Sequence, residues 1–273
     1  MIQKNHINIF KQQYLTFYIS VFYGFLSLGI TDSFYLLFHG LHVSINEALF
    51  VFTAIVSFYF YQKEIAPVIH HAVIKSLRPY QKFILILFAS SSCLTFTQLD
   101  FDTQLLICFF SIIGISYHNH TRYFLFRKLI LLKNIIISLS WTGICLLSFN
   151  IEQFRNLGFW LTAFCFLLLV FIQSILFDYI DIKKDKPYNH HTFASNSDSK
   201  NLFQIIRYLC LSIVGILCVL TFYGNISLLG FLLNISLLSV YYSNLYNYIK
   251  SQQAHLIYFT DIIFLLFSLS FHL

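Results

Sequence analysis

Long apolar segments alternate with short polar segments along nearly the whole chain. A membrane-spanning helix needs about 20 mainly apolar residues, and the pattern predicts nine such helices. Their expected boundaries are 14–31, 44–62, 83–99, 103–118, 130–149, 157–177, 203–222, 226–245 and 254–272. The predicted fold is therefore an all-α, polytopic membrane protein in which residues 1–273 form one transmembrane domain.

Basic residues fall on alternate connections between the predicted helices. With the N-terminus in the cytoplasm, sixteen of the seventeen Lys and Arg residues lie on the cytoplasmic side, and Arg155 is the exception. The opposite connections carry Asp32, Asp100, Asp102 and Glu152. This separation is what the positive-inside rule requires, and it predicts a cytoplasmic N-terminus and an external C-terminus.

Composition agrees with a membrane location. The chain is 58% hydrophobic and 10% charged, whereas soluble domains are about 25% charged. We therefore expect an integral membrane protein, in a bacterial cytoplasmic (inner) membrane, whose surroundings are a lipid bilayer and which has no nucleic-acid partner. The six cysteines are scattered singly through apolar segments, which predicts packing residues and not a disulfide framework.

The long connections all lie on the predicted cytoplasmic side. They comprise residues 62–82, 117–129 and 178–202, whereas the outer connections are mostly short. Because functional residues concentrate on long loops held by a rigid scaffold, a functional site is expected at the cytoplasmic face.

Three carboxylates mark the start of the last long connection. Asp178, Asp181 and Asp185 follow about twenty almost uncharged residues, at spacings i, i+3 and i+7. If the preceding helix continues through them, these spacings place all three on one face. Carboxylate oxygens are the ligands that Mg²⁺ prefers, often together with a phosphate group. The alternative is an acidic and basic helix end at the lipid surface.

Several residues together resemble the UbiA-type intramembrane prenyltransferases. The segment 171–185 is similar to the family's second aspartate-rich motif, and Arg78-Pro79 is similar to an Arg-Pro pair before its third helix. The basic residues Arg127, Lys128 and Lys133 precede Trp141 as in divergent members, and Asp261 lies within the ninth predicted helix, where the family often has a cavity-lining aspartate.

The resemblance implies a UbiA-like helical bundle and a magnesium-dependent prenyl transfer. Asp178, Asp181 and Asp185 would be catalytic and hold Mg²⁺. The substrate would be a prenyl diphosphate, and its prenyl group would pass to an unidentified lipophilic acceptor. Substrate-binding residues would be Arg78, Arg127, Lys128, Lys133 and Asp261.

One segment departs from the family pattern. Catalytic members carry several aspartates after the second helix, where they bind a second magnesium and the diphosphate. In this chain the corresponding residues 59–71 contain one carboxylate, Glu64, and no aspartate. The departure leaves open a non-catalytic relative that keeps the fold.

Two further alternatives come from other residue types. A small transporter is a second rival, but the three prolines lie in the cytoplasmic connections and interrupt no predicted helix, whereas transporters often have broken helices. A histidine-rich metalloenzyme is the third, because His70-His71, His118, His120 and His190-His191 share the cytoplasmic side. These histidines lack the HxxxH and HxxHH spacings of membrane hydroxylases and desaturases.

Overall fold

The computed structural model describes residues 2–60, 79–118, 131–185 and 199–251, together with 260, 262–263, 266–267 and 269–271. Over these residues the fold is all-helical. The α-helices, numbered α1 to α8 in chain order, are Ile2–His39, Ile45–Phe60, Pro79–Phe96, Phe101–His118, Leu132–Thr142, Leu157–Asp185, Ser199–Phe222 and Leu228–Ser251. A π-helical turn, Gly143–Leu147, continues α5, and the 3-10 helix Ile151–Arg155 precedes α6.

Each of the first eight predicted spans corresponds to one of these helices. Four helices contain a stretch long and apolar enough to cross a membrane, namely Phe17–His39, Leu157–Tyr179, Lys200–Phe222 and Leu228–Asn247, and the other four are shorter apolar helices. Most of the predicted ninth span lies outside the described residues, although positions 260, 262–263, 266–267 and 269–270 are helical. The count of nine and the orientation therefore stay predictions.

Most helices that follow one another in sequence pack against one another. Contacts join α1 to α2, α2 to α3, α4 to α5, α5 to α6, α6 to α7 and α7 to α8. Successive helices run in opposite directions because most connections are short. We call the end where α2, α4, α6 and α8 finish the basic end, since Lys82, Lys133 and Lys200 lie there. Glu47 and Asp100 lie at the opposite, acidic end.

Helix α6 lies at the centre of the bundle. In its most apolar stretch 67% of the residues are buried, against 28% in α7 and in α8. Ile172, Ile175 and Leu176 of α6 are fully buried and belong to the same core cluster as Ile206 and Ile213 of α7. A polar side chain on α6 is therefore held by neighbours on several sides.

Large apolar side chains also cover the outside of the bundle. Phe25, Leu94, Phe101 and Phe222 are each more than 60% exposed. Exposed apolar surface of this kind is unfavourable in water and matches the hydrocarbon core of a bilayer. The fold is that of an integral membrane protein.

Local sequence explains where several helices end. Gly40 follows α1 and Gly224 lies just after α7, and both have a positive φ, of 68° and 74°. This backbone conformation commonly ends a helix. Ser44 caps α2 with Glu47: the Ser44 amide donates to Glu47 Oε2 at 2.7 Å, and the Glu47 amide donates to Ser44 Oγ at 3.4 Å. This reciprocal pair is a capping box.

The fifth span differs from the uninterrupted helix that its apolar pattern predicts. At Gly143 the α-helix widens into a π turn, in which the Ser148 amide donates to the Gly143 carbonyl oxygen at 3.0 Å. Ser148 Oγ donates to the same oxygen at 2.8 Å. Gly143 also lies directly against the ring of Phe110 in α4, where a Cβ would overlap the ring. Hydropathy alone does not contain this information.

Candidate active site

The predicted aspartate motif lies on a continuous helix. α6 runs through to Asp185, so the condition for placing positions 178, 181 and 185 on one face is met. The side chain of Asp178 is among those described, whereas the side chains of Asp181 and Asp185 are not. The described geometry of the motif is therefore that of Asp178 and its partners.

Asp178 binds two consecutive residues of α5. Lys133 Nζ donates to Asp178 Oδ1 at 2.5 Å, and Asn134 Nδ2 donates to Asp178 Oδ2 at 3.1 Å. Lys133 and Asn134 lie in the first turn of α5, which packs alongside α6 at the basic end. The structure thus brings together two of the predicted site residues, Asp178 and Lys133, which are 45 positions apart in sequence.

The Asp178–Lys133 pair is largely buried, so the carboxylate depends on its partners for stabilisation. The Asp178 side chain is 2% exposed and the Lys133 side chain 25% exposed. A carboxylate at that depth needs an opposite charge and hydrogen bonds to offset its desolvation, and here it has both. The positive end of the α5 helix dipole also favours a negative charge beside the first turn.

Asn134 and Ser174 complete the cluster around the ion pair, and sequence analysis did not predict them as site residues. Asn134 is fully buried, and its Nδ2 also donates to Ser174 Oγ at 2.6 Å. Its Oδ1 has no hydrogen-bond partner among the described residues. A sequence signal existed: Asn134 directly follows Lys133, and Ser174 precedes Asp178 by one helical turn inside an apolar span.

A second polar cluster lies deeper on α6. Tyr241 of α8 donates its hydroxyl to Gln173 Oε1 at 2.9 Å, and Gln173 Nε2 donates to Thr260 Oγ1 at 3.0 Å. Gln173 therefore bonds the residue that precedes Asp261, although Asp261 itself lies outside the described residues. These hydrogen bonds connect α6 to α8 and to the C-terminal helical segment.

Aromatic rings line another part of the interior. Tyr23 of α1 stacks on Tyr59 of α2 with ring centroids 4.4 Å apart, and Trp141 of α5 meets Tyr23 edge-on at 6.4 Å. Trp141 follows Asn134 by seven residues, about 10 Å along the helix axis. Asn134 and Trp141 therefore lie on the same face of α5, about two helical turns apart.

The remaining predicted site residues lie outside the described part of the chain. These are Arg78, Arg127, Lys128 and Asp261. Glu64 and most of the cytoplasmic histidines lie there as well. Within the described side chains, no three His, Cys, Asp or Glu residues come close enough together to hold a metal ion.

The implied magnesium ion can be tested against the Asp178 geometry. Both oxygens of this carboxylate already accept hydrogen bonds, and the Lys133 ammonium balances its charge. A divalent cation on the same carboxylate would stand close to that ammonium, and the two positive charges repel. In this arrangement Asp178 does not fit a magnesium ligand. The metal-binding roles of Asp181 and Asp185 stay predictions.

One solved structure is similar to this fold over nearly its whole length. It is a digeranylgeranylglyceryl phosphate synthase in membranes, matched with a TM-score of 0.65 and 14% sequence identity over 95% of this chain and 96% of that one. At this identity the likeness shows the fold alone. No family model and no curated protein sequence matches the chain.

Proposed function

We propose that this protein is a membrane prenyltransferase, which moves a prenyl group from a prenyl diphosphate to a lipophilic acceptor. The observation that carries the proposal is the buried pairing of Asp178 with Lys133, where the aspartate motif of α6 meets the basic end of the bundle. The similarity to a digeranylgeranylglyceryl phosphate synthase, a UbiA-type prenyltransferase, supports it.

In the proposed reaction, the bond between the allylic carbon and the diphosphate oxygen breaks. The electron pair leaves with the diphosphate, the resulting allylic cation takes an electron pair from the acceptor, and the acceptor loses a proton. Negative charge therefore grows on the leaving group, and fixed positive groups stabilise it best where water is excluded. Lys133 is such a group, because its ammonium is held in place by Asp178 and its side chain is a quarter exposed.

Magnesium is part of the proposal. Asp181 and Asp185, on the same face as Asp178 and nearer the end of α6, are proposed to hold it. When bound, the ion would neutralise charge on the diphosphate oxygens. Arg78, Arg127 and Lys128 are proposed to contact the same phosphates and Asp261 to line the substrate cavity. The head group would enter from the cytoplasmic side of a bacterial inner membrane.

The prenyl tail is proposed to extend toward the bundle interior. Trp141 lies about 10 Å further along α5 than Asn134, and Tyr23 meets its ring edge-on while stacking on Tyr59. An apolar chain reaching Trp141 would therefore pass from polar to aromatic surroundings. This arrangement would keep water from an allylic cation while the acceptor approaches.

Pyrophosphate release provides the test. Purified protein in nanodiscs is supplied with a series of prenyl diphosphates, Mg²⁺ and a membrane lipid extract as the acceptor source. We expect release with the wild type and none with Asp181→Asn/Asp185→Asn. Asp102→Asn, at the acidic end, is the matched control and should release pyrophosphate as the wild type does.

The rival function is a protein that keeps the fold without the chemistry. It is favoured by residues 59–71, which contain Glu64 as their one carboxylate. If the wild type releases no pyrophosphate with any prenyl diphosphate, and binds none of them, the transferase proposal is wrong and this alternative stands.

A further inference from the structure

Asp178 is bound to a cation that the chain itself supplies. The Lys133 ammonium lies 2.5 Å from Asp178 Oδ1. We propose that Lys133 takes the place of a metal ion at Asp178. Asp178 is then a positioning residue for the Lys133 ammonium, and the ammonium binds the anionic diphosphate head group directly.

The difference in burial gives the pair a direction. Asp178 is 2% exposed, whereas the Lys133 side chain is 25% exposed. A ligand therefore has more access to the lysine side chain than to the carboxylate. For Asp178 to bind a metal ion, its carboxylate would have to be the more accessible of the two groups.

Asn134 holds the carboxylate in this orientation. Its Nδ2 donates to Asp178 Oδ2 at 3.1 Å and to Ser174 Oγ at 2.6 Å, and Asn134 and Ser174 are both buried. Turning Asp178 toward an incoming metal would break both its bond to Asn134 and its ion pair with Lys133. A buried carboxylate separated from its partners is strongly unfavourable, so the carboxylate stays with the lysine.

The inference rests on the proposed function for the identity of the head group, but not for the pairing of Asp178 with Lys133. Metal binding and anion binding can be measured separately. Mn²⁺ substitutes for Mg²⁺ and is detected by electron paramagnetic resonance without any turnover. Inorganic pyrophosphate serves as the anion probe, measured by calorimetry on the full chain in nanodiscs.

The first arm measures Mn²⁺ affinity in Asp178→Asn and Asp181→Asn. Asp178→Asn should leave the affinity unchanged within error, because Asp178 is not a ligand. Loss of affinity by at least about tenfold in Asp178→Asn would overturn the inference. Asp181→Asn is the comparison that reports whether the rest of the motif binds the ion at all.

The second arm measures pyrophosphate affinity. Asp178→Asn should weaken it, because the ammonium loses its anchor, and Lys133→Met/Asp178→Asn should weaken it further. Lys133→Arg should retain binding, because a cation remains. We expect a loss of about tenfold or more in the double variant. Wild-type affinity in the double variant, or no binding by the wild type, would overturn the role of Lys133.

The two proposals fail in different ways. Pyrophosphate bound through Lys133 without prenyl transfer would contradict the proposed function and support the inference. Prenyl transfer by the wild type, combined with loss of Mn²⁺ binding in Asp178→Asn, would support the proposed function and contradict the inference. Thermal unfolding of each variant establishes that it is folded. Tighter binding of a prenyl diphosphate analogue than of pyrophosphate would identify the prenyl ester as the ligand.

Discussion

Tyr241 and Gln173 are hydrogen-bonded in the interior of the bundle, 68 positions apart in sequence. The phenol oxygen of Tyr241 lies 2.9 Å from Gln173 Oε1. Gln173 Nε2 in turn donates to Thr260 Oγ1 at 3.0 Å. Helices in a bilayer gain little from apolar burial against each other, because the surrounding lipid is equally apolar. Directional bonds such as these therefore fix which faces of α6 and α8 meet.

Removing the Tyr241 hydroxyl should destabilise the bundle. Tyr241→Phe leaves the buried Gln173 Oε1 without this donor, and interhelical hydrogen bonds in membranes are worth about 0.6 kcal/mol on average and up to about 1.7. We expect a loss near the upper value, because Tyr241 is 1% exposed. Tyr246→Phe is the control: Tyr246 is on the same helix and 48% exposed. Equal unfolding free energies in detergent for the two variants would contradict the prediction.

Two glycines should respond oppositely to the same substitution. A Cβ at Gly143 would overlap the Phe110 ring, whereas a Cβ at Gly215 meets nothing within 4 Å. Gly143→Ala should therefore cost about 1–3 kcal/mol through overpacking. Gly215→Ala should gain up to about 1 kcal/mol through helix propensity. Thermal unfolding of both variants measures the difference, and Gly143→Ala should cost less in a Phe110→Ala background than in the wild type. An equal cost in the two backgrounds would mean that the ring is not the cause.

Much of the bundle could be predicted from sequence because lipid imposes a simple length rule. Eight apolar segments correspond to eight helices, and the first helix continues beyond the predicted end at residue 31 to His39, because the apolar stretch continues there. The π turn at Gly143 was missed, because it depends on a ring of α4 and on Ser148, neither of which changes hydropathy.

The candidate site was predictable by residue type but not by partner. The spacing of Asp178 with Asp181 and Asp185 after an apolar span predicts a site there, and the resemblance to the UbiA-type prenyltransferases points to Lys133. The pairing of Asp178 with Lys133 across 45 positions depends on how α5 packs on α6, and this packing cannot be predicted from the sequence spacing. Asn134 was passed over because an uncharged amide beside a lysine resembles an ordinary helix end, although its burial makes it the second partner of Asp178.

Chemical labelling can test the predicted orientation. The exposed cysteines Cys93, Cys108 and Cys218 are first replaced by alanine, and Asp102→Cys or Lys200→Cys is then introduced at the acidic or the basic end. In sealed right-side-out vesicles, a membrane-impermeant maleimide should label Asp102→Cys alone, because the basic end is expected in the cytoplasm. Permeabilised vesicles should label both. Labelling of Lys200→Cys in sealed vesicles would reverse the orientation.

The two halves of the buried ion pair should differ in what their loss costs. Lys133→Met leaves the carboxylate of Asp178, at 2% exposure, without this counter-charge, and breaking a buried pair in this way costs about 3–5 kcal/mol. Asp178→Asn leaves a lysine that is 25% exposed and can extend its ammonium toward water, so we expect a smaller loss of about 1–3 kcal/mol.

A double variant completes this experiment. Lys133→Met/Asp178→Asn removes both charges, so its unfolding free energy should be higher than that of Lys133→Met alone, because no buried carboxylate is then left without its lysine counter-charge. Unfolding in mixed micelles measures all three variants against the wild type. If the losses of the two single variants simply add in the double variant, then Lys133 and Asp178 do not stabilise each other, and the geometry at the basic end of α6 has another cause.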